Sequence, residues 1–384
     1  MYTNLTIKTI LSLTILLGFY LCFIGGYGSD EDTLPMIGTF LNFLNGNFMT
    51  SRFTGYPVAE FIIGFISLYF GSFAINLVIF ACFILGGFFF FCSFEKKVEK
   101  NNFFLFLLLI ISSPILFFDN LEPVDYSIAF LFFSSGYYFL VKNKIELAVI
   151  LFGICIGTRI NFAPFVLIAI YFSDLDFVLA KSRKIQIILS SIFVGCLFYV
   201  PVWIYSELGL DWLRAGRPES GFLGYFARFI YKTSVTIGFI QLLLLIYFFC
   251  AKKYNKFSAP KEKLIFYLIA ANLLIFLYIP AELSYLQPSL IFFYYLIYKY
   301  FNKKIILILI AINIFSWVIK FEPLEIIHVN KDRCAPIIAT GVNLKPEFKK
   351  GYFFDYLESR SKINCWIDVN SEFGKKISKG LKLN

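Results

Sequence analysis

Residues 73–93 read FAINLVIFACFILGGFFFFCS, an apolar stretch without a charged side chain. A helix needs about 20 such residues to cross a hydrocarbon core about 30 Å thick. Similar apolar runs recur along the whole 384-residue chain, which is 59% hydrophobic and has a mean hydropathy of +0.75. Because a backbone inside lipid must satisfy its own hydrogen bonds, this pattern predicts an all-α, polytopic membrane protein.

Outward from this stretch, the hydropathy pattern predicts about 11 transmembrane helices. Their approximate ranges are 7–27, 73–93, 103–118, 124–140, 145–158, 162–174, 185–205, 233–251, 264–280, 288–301 and 304–320. Basic clusters such as Lys96-Lys97, Lys252-Lys253 and Lys303-Lys304 fall on the inner side if the N-terminus is cytoplasmic, as the positive-inside rule requires. We therefore expect a multi-pass protein of a plasma membrane, such as the bacterial inner membrane, with membrane lipids around it.

The net charge of +10 is explained by these inner clusters, so we expect no nucleic-acid partner. One His and three Met make a haem or a multi-His metal centre improbable. The sequence divides into a membrane domain, 1–320, and a polar tail, 321–384, which follows an odd number of spans and is predicted to be extracytoplasmic. Cys334 and Cys365 in this tail could form a disulfide worth roughly 3–4 kcal/mol, with two unpaired thiols as the alternative.

The first outer loop, 28–72, opens with the acidic cluster Ser29-Asp30-Glu31-Asp32 where the first helix leaves the membrane. A carboxylate there can be partly desolvated, which raises its basicity, and can still reach a polar substrate. The alternative is a solvated loop that happens to be acidic. The cluster therefore suggests a general base without establishing one.

The same loop carries Arg52, then the turn Gly55-Tyr56-Pro57, and then Glu60 in the first turn of an apolar helix. We expect residues 57–71 to form an interfacial helix on the outer membrane face. The guanidinium of Arg52 suits a phosphate because its planar fork binds pairs of oxygens. Each residue also has a structural reading: Arg52 could snorkel to lipid headgroups, and Glu60 could stabilise a helix N-terminus.

Other ionisable residues are predicted to face outward as well. Arg159 follows the fifth span, and charged groups at membrane depth are costly and usually functional. Glu122 and Asp125 precede the fourth span on the same side, and the loop 206–232 carries Arg214, Arg217, Glu219 and Arg228. Acids and arginines on one face are what a site for an anionic, lipid-linked substrate would need.

The order of these motifs resembles the GT-C superfamily of membrane glycosyltransferases, which includes protein O-mannosyltransferases and aminoarabinose transferases. The resemblance covers about the first 175 residues, and the rest only by architecture. It is carried by Asp30-Glu31, Gly38, Asn47, Ser51-Arg52-Phe53-Thr54-Gly55-Tyr56-Pro57, Glu60, Tyr69-Phe70-Gly71, Asp125-Tyr126-Ser127, Gly153-Ile154-Cys155-Ile156-Gly157-Thr158-Arg159 and Tyr285-Leu286-Gln287-Pro288. It departs from the Lys-Pro-Pro-Leu common in the family's first loop, where this chain has Tyr56-Pro57-Val58-Ala59.

The resemblance implies transfer of a sugar from a polyprenyl-phosphate donor to a lipid, glycan or protein acceptor on the outer face. It implies Asp30 as the catalytic base, with Glu31 as the fallback. Arg52 or Arg159, or a divalent cation such as Mg²⁺ or Mn²⁺, would offset the charge of the departing phosphate.

We expect Tyr56, Glu60 and Arg217 to contact the substrate. The alternatives are a surface polysaccharide polymerase or ligase, which the arginines of loop 206–232 fit, and a non-enzymatic transporter or flippase. A transporter predicts ionisable residues in the middle of spans or paired broken helices.

Overall fold

A computed structural model describes residues 2–27, 33–48, 51, 56–95, 99–172, 181–205, 221–238, 243, 247, 260–278, 280, 283–328 and 339–359. In this part of the chain the α-helices are α1 (Tyr2–Ile24), α2 (Thr33–Leu44), α3 (Pro57–Phe94), α4 (Lys100–Ser112), α5 (Pro114–Phe118), α6 (Asp125–Val141), α7 (Ile145–Thr158), α8 (Ala163–Tyr171), α9 (Lys181–Tyr205), α10 (Gly221–Ile237), α11 (Pro260–Tyr278), α12 (Gln287–Tyr300), α13 (Lys303–Val318) and α14 (Tyr352–Ser359). Short 3₁₀ turns cover Asp119–Leu121, Ile160–Phe162 and Leu283–Leu286, and two strands, β1 (Ile319–His328) and β2 (Ala339–Lys350), form an antiparallel hairpin. The predicted all-α class is confirmed, and the hairpin is an addition that the sequence pattern did not predict.

The prediction of eleven spans is not supported. Three helices of the described residues are long and apolar enough to cross a membrane, namely Leu5–Ile24, Pro57–Phe94 and Lys181–Tyr205. A fourth arises if the pair Lys100–Ser112 and Pro114–Leu121, bent by 90°, is one broken span.

Other predicted spans are helices that are too short. α7 and α12 have 14 residues each and α8 has nine. At 1.5 Å per residue these are only about 21 Å and about 14 Å long, against a core of about 30 Å. The bend after α4 has a local cause: Ser113 precedes Pro114, which disfavours a helical conformation, and Ser113 is extended with ψ 122°. The hydropathy pattern predicted a single span over 103–118 and gave no sign of this break.

α3 is two helical segments joined at Gly71. It begins at Pro57, as predicted, and Gly71 has φ 80° and ψ −178°, a conformation that glycine alone adopts readily. The kink divides the segment predicted to lie in the interface, 57–71, from the predicted span 73–93. The boundary between the two therefore coincides with a real break in the helix, while the interfacial placement stays a prediction.

Small residues let α7 and α9 pack closely. A Cβ atom at Gly153 would lie 2.3 Å from a Val194 methyl carbon, and one at Gly157 would lie 2.6 Å from the Phe198 ring. Gly195 on α9 has the same role against Ile156, at 2.7 Å. Glycines four residues apart, as at 153 and 157, are typical of closely packed helix pairs in membranes. The close packing brings the end of α7 against α9 and so fixes the position of Arg159, which directly follows α7.

Helix α14, which follows the C-terminal hairpin, lies against the end of α1. The Tyr356 hydroxyl donates to the Leu21 carbonyl at 3.2 Å, and its ring lies 5.6 Å from that of Phe118 at the end of α5. Asn76 of α3 donates to the Gly26 carbonyl at 2.7 Å, just beyond α1. The tail and the residue before the first loop therefore lie at one end of the helical bundle, which we call the site end.

Candidate functional site at one end of the bundle

The helix pair α6–α7 brings Asp125 and Arg159 together. The two helices are joined by a tight turn in which Asn143 has φ 58°, a left-handed conformation that Asn tolerates better than most residues. Asp125 is the first residue of α6, and Arg159 follows the last residue of α7 in an extended conformation. Residues 34 positions apart in the chain thus meet at the site end.

Arg159 is fully buried and enclosed by four side chains. Its Nη1 donates to the Asp125 carboxylate, which is 1% exposed. Its guanidinium carbon lies 3.6 Å from the ring centroid of Tyr126, 4.6 Å from that of Tyr56 and 5.2 Å from that of Tyr285. We call this set the arginine cage. It joins the start of α3, the start of α6, the end of α7 and the 3₁₀ turn before α12.

The energetics of the cage depend on its being complete. Burying a guanidinium costs free energy that the carboxylate partner and the three ring faces offset together. One N–H, at Arg159 Nε, is buried and has no hydrogen-bond partner among the described residues. Such an orphaned donor retains a desolvation cost that an added oxygen acceptor would remove.

Glu60 fixes the described part of the first loop. It is fully buried, and its Oε1 accepts hydrogen bonds from the Ser51 backbone N–H at 2.9 Å and from the Ser51 hydroxyl. Its own N–H donates to the Tyr56 carbonyl, so Glu60 lies one helical turn beyond the cage residue Tyr56. Glu60 therefore ties the residue preceding Arg52 to the same helix end that carries Tyr56.

A buried amide network positions the fourth segment of the cage. Gln287 Nε2 donates to the Asp119 carboxylate at 3.2 Å, and Asn120 Nδ2 donates to Gln287 Oε1 at 3.3 Å. Asn272 of α11 donates to the Tyr285 carbonyl at 3.1 Å. These bonds hold the turn 283–286, and with it the Tyr285 ring, against the residues that precede α6.

An apolar groove adjoins the cage. It has a volume of about 340 Å³ and lies between α2, the first segment of α3, and α9. Its lining includes Phe43, Phe48, Pro57, Phe61, Phe198 and Pro201. Pro57 directly follows Tyr56, so a buried polar cluster and an apolar groove share one stretch of backbone. This arrangement can accommodate an amphiphile with a polar head and a long apolar tail.

The structure brings together three of the predicted site residues. Tyr56 and Arg159 belong to the arginine cage, and Glu60 lies one turn from it. Asp30, Glu31, Arg52 and Arg217 lie outside the described residues, as do Cys334 and Cys365 of the predicted disulfide. Their roles stay predictions. Within the described ranges, no group of three or more His, Cys, Asp or Glu side chains is placed to hold a metal ion.

Three cage residues were missing from the predicted site. Asp125, Tyr126 and Tyr285 all lie in motifs on which the family resemblance rests, but none was given a role. The α6–α7 turn offered a signal, because 125 and 159 are nearly equidistant from it and an antiparallel pair brings such positions together. Tyr285 offered none, because its contact depends on how distant helices pack.

No protein family, curated protein or solved structure matches this chain.

Proposed function

We propose that this protein is a membrane glycosyltransferase of the GT-C type that moves a sugar from a polyprenyl-phosphate donor to a lipid, glycan or protein acceptor at the site end. The observation that carries the proposal is the shared boundary of the arginine cage and the apolar groove. A polyprenyl phosphate has the matching division, an anionic head on a long apolar chain. The groove would take the polyprenyl chain, and the polar side would take the phosphate and sugar.

The proposed reaction is a single displacement. The acceptor hydroxyl oxygen forms a bond to the anomeric carbon, and the bond from that carbon to the phosphate oxygen breaks, with its electron pair leaving on the phosphate. The hydroxyl proton passes to Asp30, with Glu31 as the alternative base. The anomeric configuration is inverted because the two oxygens lie on opposite sides of the carbon.

Arginines would receive the phosphate. Arg52 supplies a charge from the first loop, next to a residue that Glu60 holds. Arg159 already balances Asp125, and its orphaned Nε–H is the donor that a phosphate oxygen would satisfy. The described carboxylates at this end do not form a cation site, since Asp125 is engaged by Arg159 and Glu60 by Ser51.

One observation bears on the transporter alternative. A transporter predicts paired broken helices, and the described residues contain two breaks, at Gly71 of α3 and between α4 and α5. These breaks lie in consecutive helices and not at corresponding positions of two repeats, so they do not form the repeated arrangement that alternating access uses. We therefore place the transporter second.

The test uses the purified full-length protein in proteoliposomes with undecaprenyl phosphates carrying radiolabelled glucose, mannose, galactose or 4-amino-4-deoxyarabinose. We expect one donor to release undecaprenyl phosphate and pass its label to a lipid, glycan or protein acceptor added to the vesicles. Asp30→Asn should lower this rate by at least 100-fold, the scale of general base catalysis. Glu146→Gln, an exposed carboxylate at the other end of the α6–α7 pair, is the matched control and should retain the rate.

Failure of all four donors to react, or an Asp30→Asn variant as active as the control, would overturn the proposal. Movement of an intact labelled lipid across the bilayer without cleavage would instead support the transporter.

A further inference from the structure

A second cavity lies at the site end, on the side of the C-terminal hairpin. It has a cavity volume of about 100 Å³ and lies between the α4–α5 break, the end of α10, α13, β1 and α14. Its polar lining is rich in hydroxyl groups, including those of Ser113, Thr236, Ser316 and Tyr352. We call it the hydroxyl cleft. It shares no lining residue with the apolar groove or the arginine cage.

One buried hydroxyl of the cleft, that of Thr236, has no hydrogen-bond partner among the residues that the structure describes. Thr236 is 4% exposed and lines the cleft. The neighbouring hydroxyls are engaged: Ser234 donates to the Tyr231 carbonyl at 2.8 Å and Ser316 to the Asn313 carbonyl at 2.6 Å. A buried polar group left unpaired costs free energy. A ligand hydroxyl in the cleft would satisfy it.

The charges that line the cleft cancel. Lys320 Nζ lies 2.8 Å from Glu322 Oε1 and 2.9 Å from Asp355 Oδ2, and Lys349 Nζ lies 2.8 Å from Glu322 Oε2. Lys320 and Glu322 both line the cleft, one charge of each sign. An ionised ligand would have to compete with these pairs. The cleft is therefore built for a polar but uncharged molecule.

Apolar ring surface completes the lining. Phe321, Tyr294 and Tyr352 border the same space as the hydroxyls. A pocket that combines a few directed polar groups with aromatic surface orients a ligand that has both polar edges and apolar faces. A pyranose ring has hydroxyls around its edge and C–H groups on its faces.

From these observations we infer that the hydroxyl cleft is a binding site for a neutral saccharide. Its assignment as the acceptor subsite rests on the proposed function, whereas saccharide binding itself does not. Residues of β1 and α14 line the cleft, so the C-terminal tail would form part of this subsite.

The test measures binding of free sugars to the full-length protein by isothermal titration calorimetry. The micelle must be a detergent without a sugar head, such as lauryldimethylamine oxide, since a maltoside would compete. The probes are D-glucose, D-galactose, D-mannose and N-acetyl-D-glucosamine, with D-glucuronate and D-glucosamine as charged comparators. We expect saturable binding of at least one neutral sugar and at least tenfold weaker binding of its charged counterpart.

Two threonines on α10 provide a matched pair of variants. Thr236→Val removes the hydroxyl that lines the cleft and should weaken binding about five- to tenfold, the effect of one neutral hydrogen bond. Thr233→Val removes a hydroxyl that is also unpartnered among the described residues but does not line the cleft, and should leave binding unchanged. Ser316→Ile, which fills the cleft, should abolish binding.

The inference is overturned if no neutral sugar binds saturably, if charged sugars bind as tightly, or if the two threonine variants behave alike. The readouts separate the two proposals. Sugar binding without transfer activity would retain the cleft and reject the glycosyltransferase. Transfer activity that Thr236→Val and Ser316→Ile leave unchanged, with no binding of the probes, would reject the cleft alone.

Discussion

At the scale of single residues, the Asp125–Arg159 ion pair is an arrangement in which both charges are buried, so that each partner requires the other. Removing one partner of a buried ion pair leaves an uncompensated charge, which costs about 3–5 kcal/mol. We therefore expect Asp125→Asn to lower the free energy of unfolding by that amount, measured by equilibrium unfolding in mixed micelles. A paired replacement, Asp125→Leu with Arg159→Met, should be less destabilising than either single change, because no charge stays buried.

The control for this prediction is an ion pair on the surface. Lys350 and Glu358 lie 2.6 Å apart with both side chains largely exposed. Glu358→Gln should leave the free energy of unfolding nearly unchanged, as is usual for an exposed ion pair. If Asp125→Asn costs no more than this control, the pair does not stabilise the site end and the cage is not a rigid unit.

The arginine cage also shows which contacts of the site could be predicted from the sequence and which could not. The sequence pattern placed Asp125 and Arg159 on one face, because both lie at helix ends that the charge rule orients alike. The family resemblance implied a phosphate for Arg159 and did not identify its carboxylate partner, since that pairing depends on the register of α6 against α7. The Tyr285 contact depends on the position of α12, which no local pattern encodes.

At the scale of elements, Gly71 decides the shape of α3. Its φ of 80° and ψ of −178° exclude residues with a Cβ unless strain of about 1–3 kcal/mol is accepted. We expect Gly71→Ala to destabilise the fold by this amount or to straighten α3. A pair of spin labels at exposed Phe61 and Leu85 would report straightening as a longer distance. Ser72→Ala, one residue on, should leave both stability and distance unchanged.

The hairpin and α14 form an element with its own electrostatics. Burial would raise the pKa of Glu322, but hydrogen bonds from Lys320 and Lys349 outweigh burial and lower the pKa below its ordinary value. Burial would lower the pKa of Lys320, yet its bonds to Glu322 and Asp355 raise it. A depressed carboxyl pKa stabilises the fold above the unfolded value, about 4.5, and this contribution is lost as pH falls.

The raised pKa of Lys320 has the opposite effect on the pH dependence: its contribution to stability is present at neutral pH and is lost as pH rises above the unfolded value of about 10.5. We therefore expect protection factors of β1 amides, from hydrogen exchange corrected for intrinsic rates, to be constant between about pH 5 and 10 and to fall below about pH 4.5. Glu322→Gln should lower the protection factors of β1 amides at pH 7 and should reduce their further decrease below about pH 4.5. The same change at Glu325, whose pair with Lys345 is about half exposed, should do neither.

Element lengths explain why the helix count could not be read from hydropathy. α7 is apolar but ends after 14 residues, where Arg159 adopts an extended conformation. α12 also ends after 14 residues, where Phe301 is extended. α4 is interrupted at Ser113 by the following proline. Composition reports that a segment is apolar, whereas tertiary packing decides whether it continues straight, bends or stops.

At the scale of the whole molecule, the fold links the orientation of the chain to the location of the site. The Tyr356–Leu21 hydrogen bond puts the tail and the end of α1 together, and the arginine cage lies among helix ends of the same side. Asn45, after α2, and Thr340, in β2, are exposed and belong to the segments at the site end. Asn143 is in the α6–α7 turn, at the other end of that helix pair. A single orientation of the protein in the membrane must therefore put Asn45 and Thr340 on one side and Asn143 on the other.

Single cysteines at these positions, in a variant whose eight native cysteines are replaced, test that orientation in intact cells. We expect a membrane-impermeant maleimide added outside to label Asn45→Cys and Thr340→Cys, and to label Asn143→Cys only after the membrane is opened. Labelling of all three from outside would exclude a membrane between the two ends of α6–α7. If Asn45→Cys and Thr340→Cys react from opposite sides, the tail cannot dock on α1 in the membrane, and a site that combines the first loop with the tail is excluded. Labelling of Asn143→Cys alone would put the arginine cage inside, where an outer-face acceptor could not reach it.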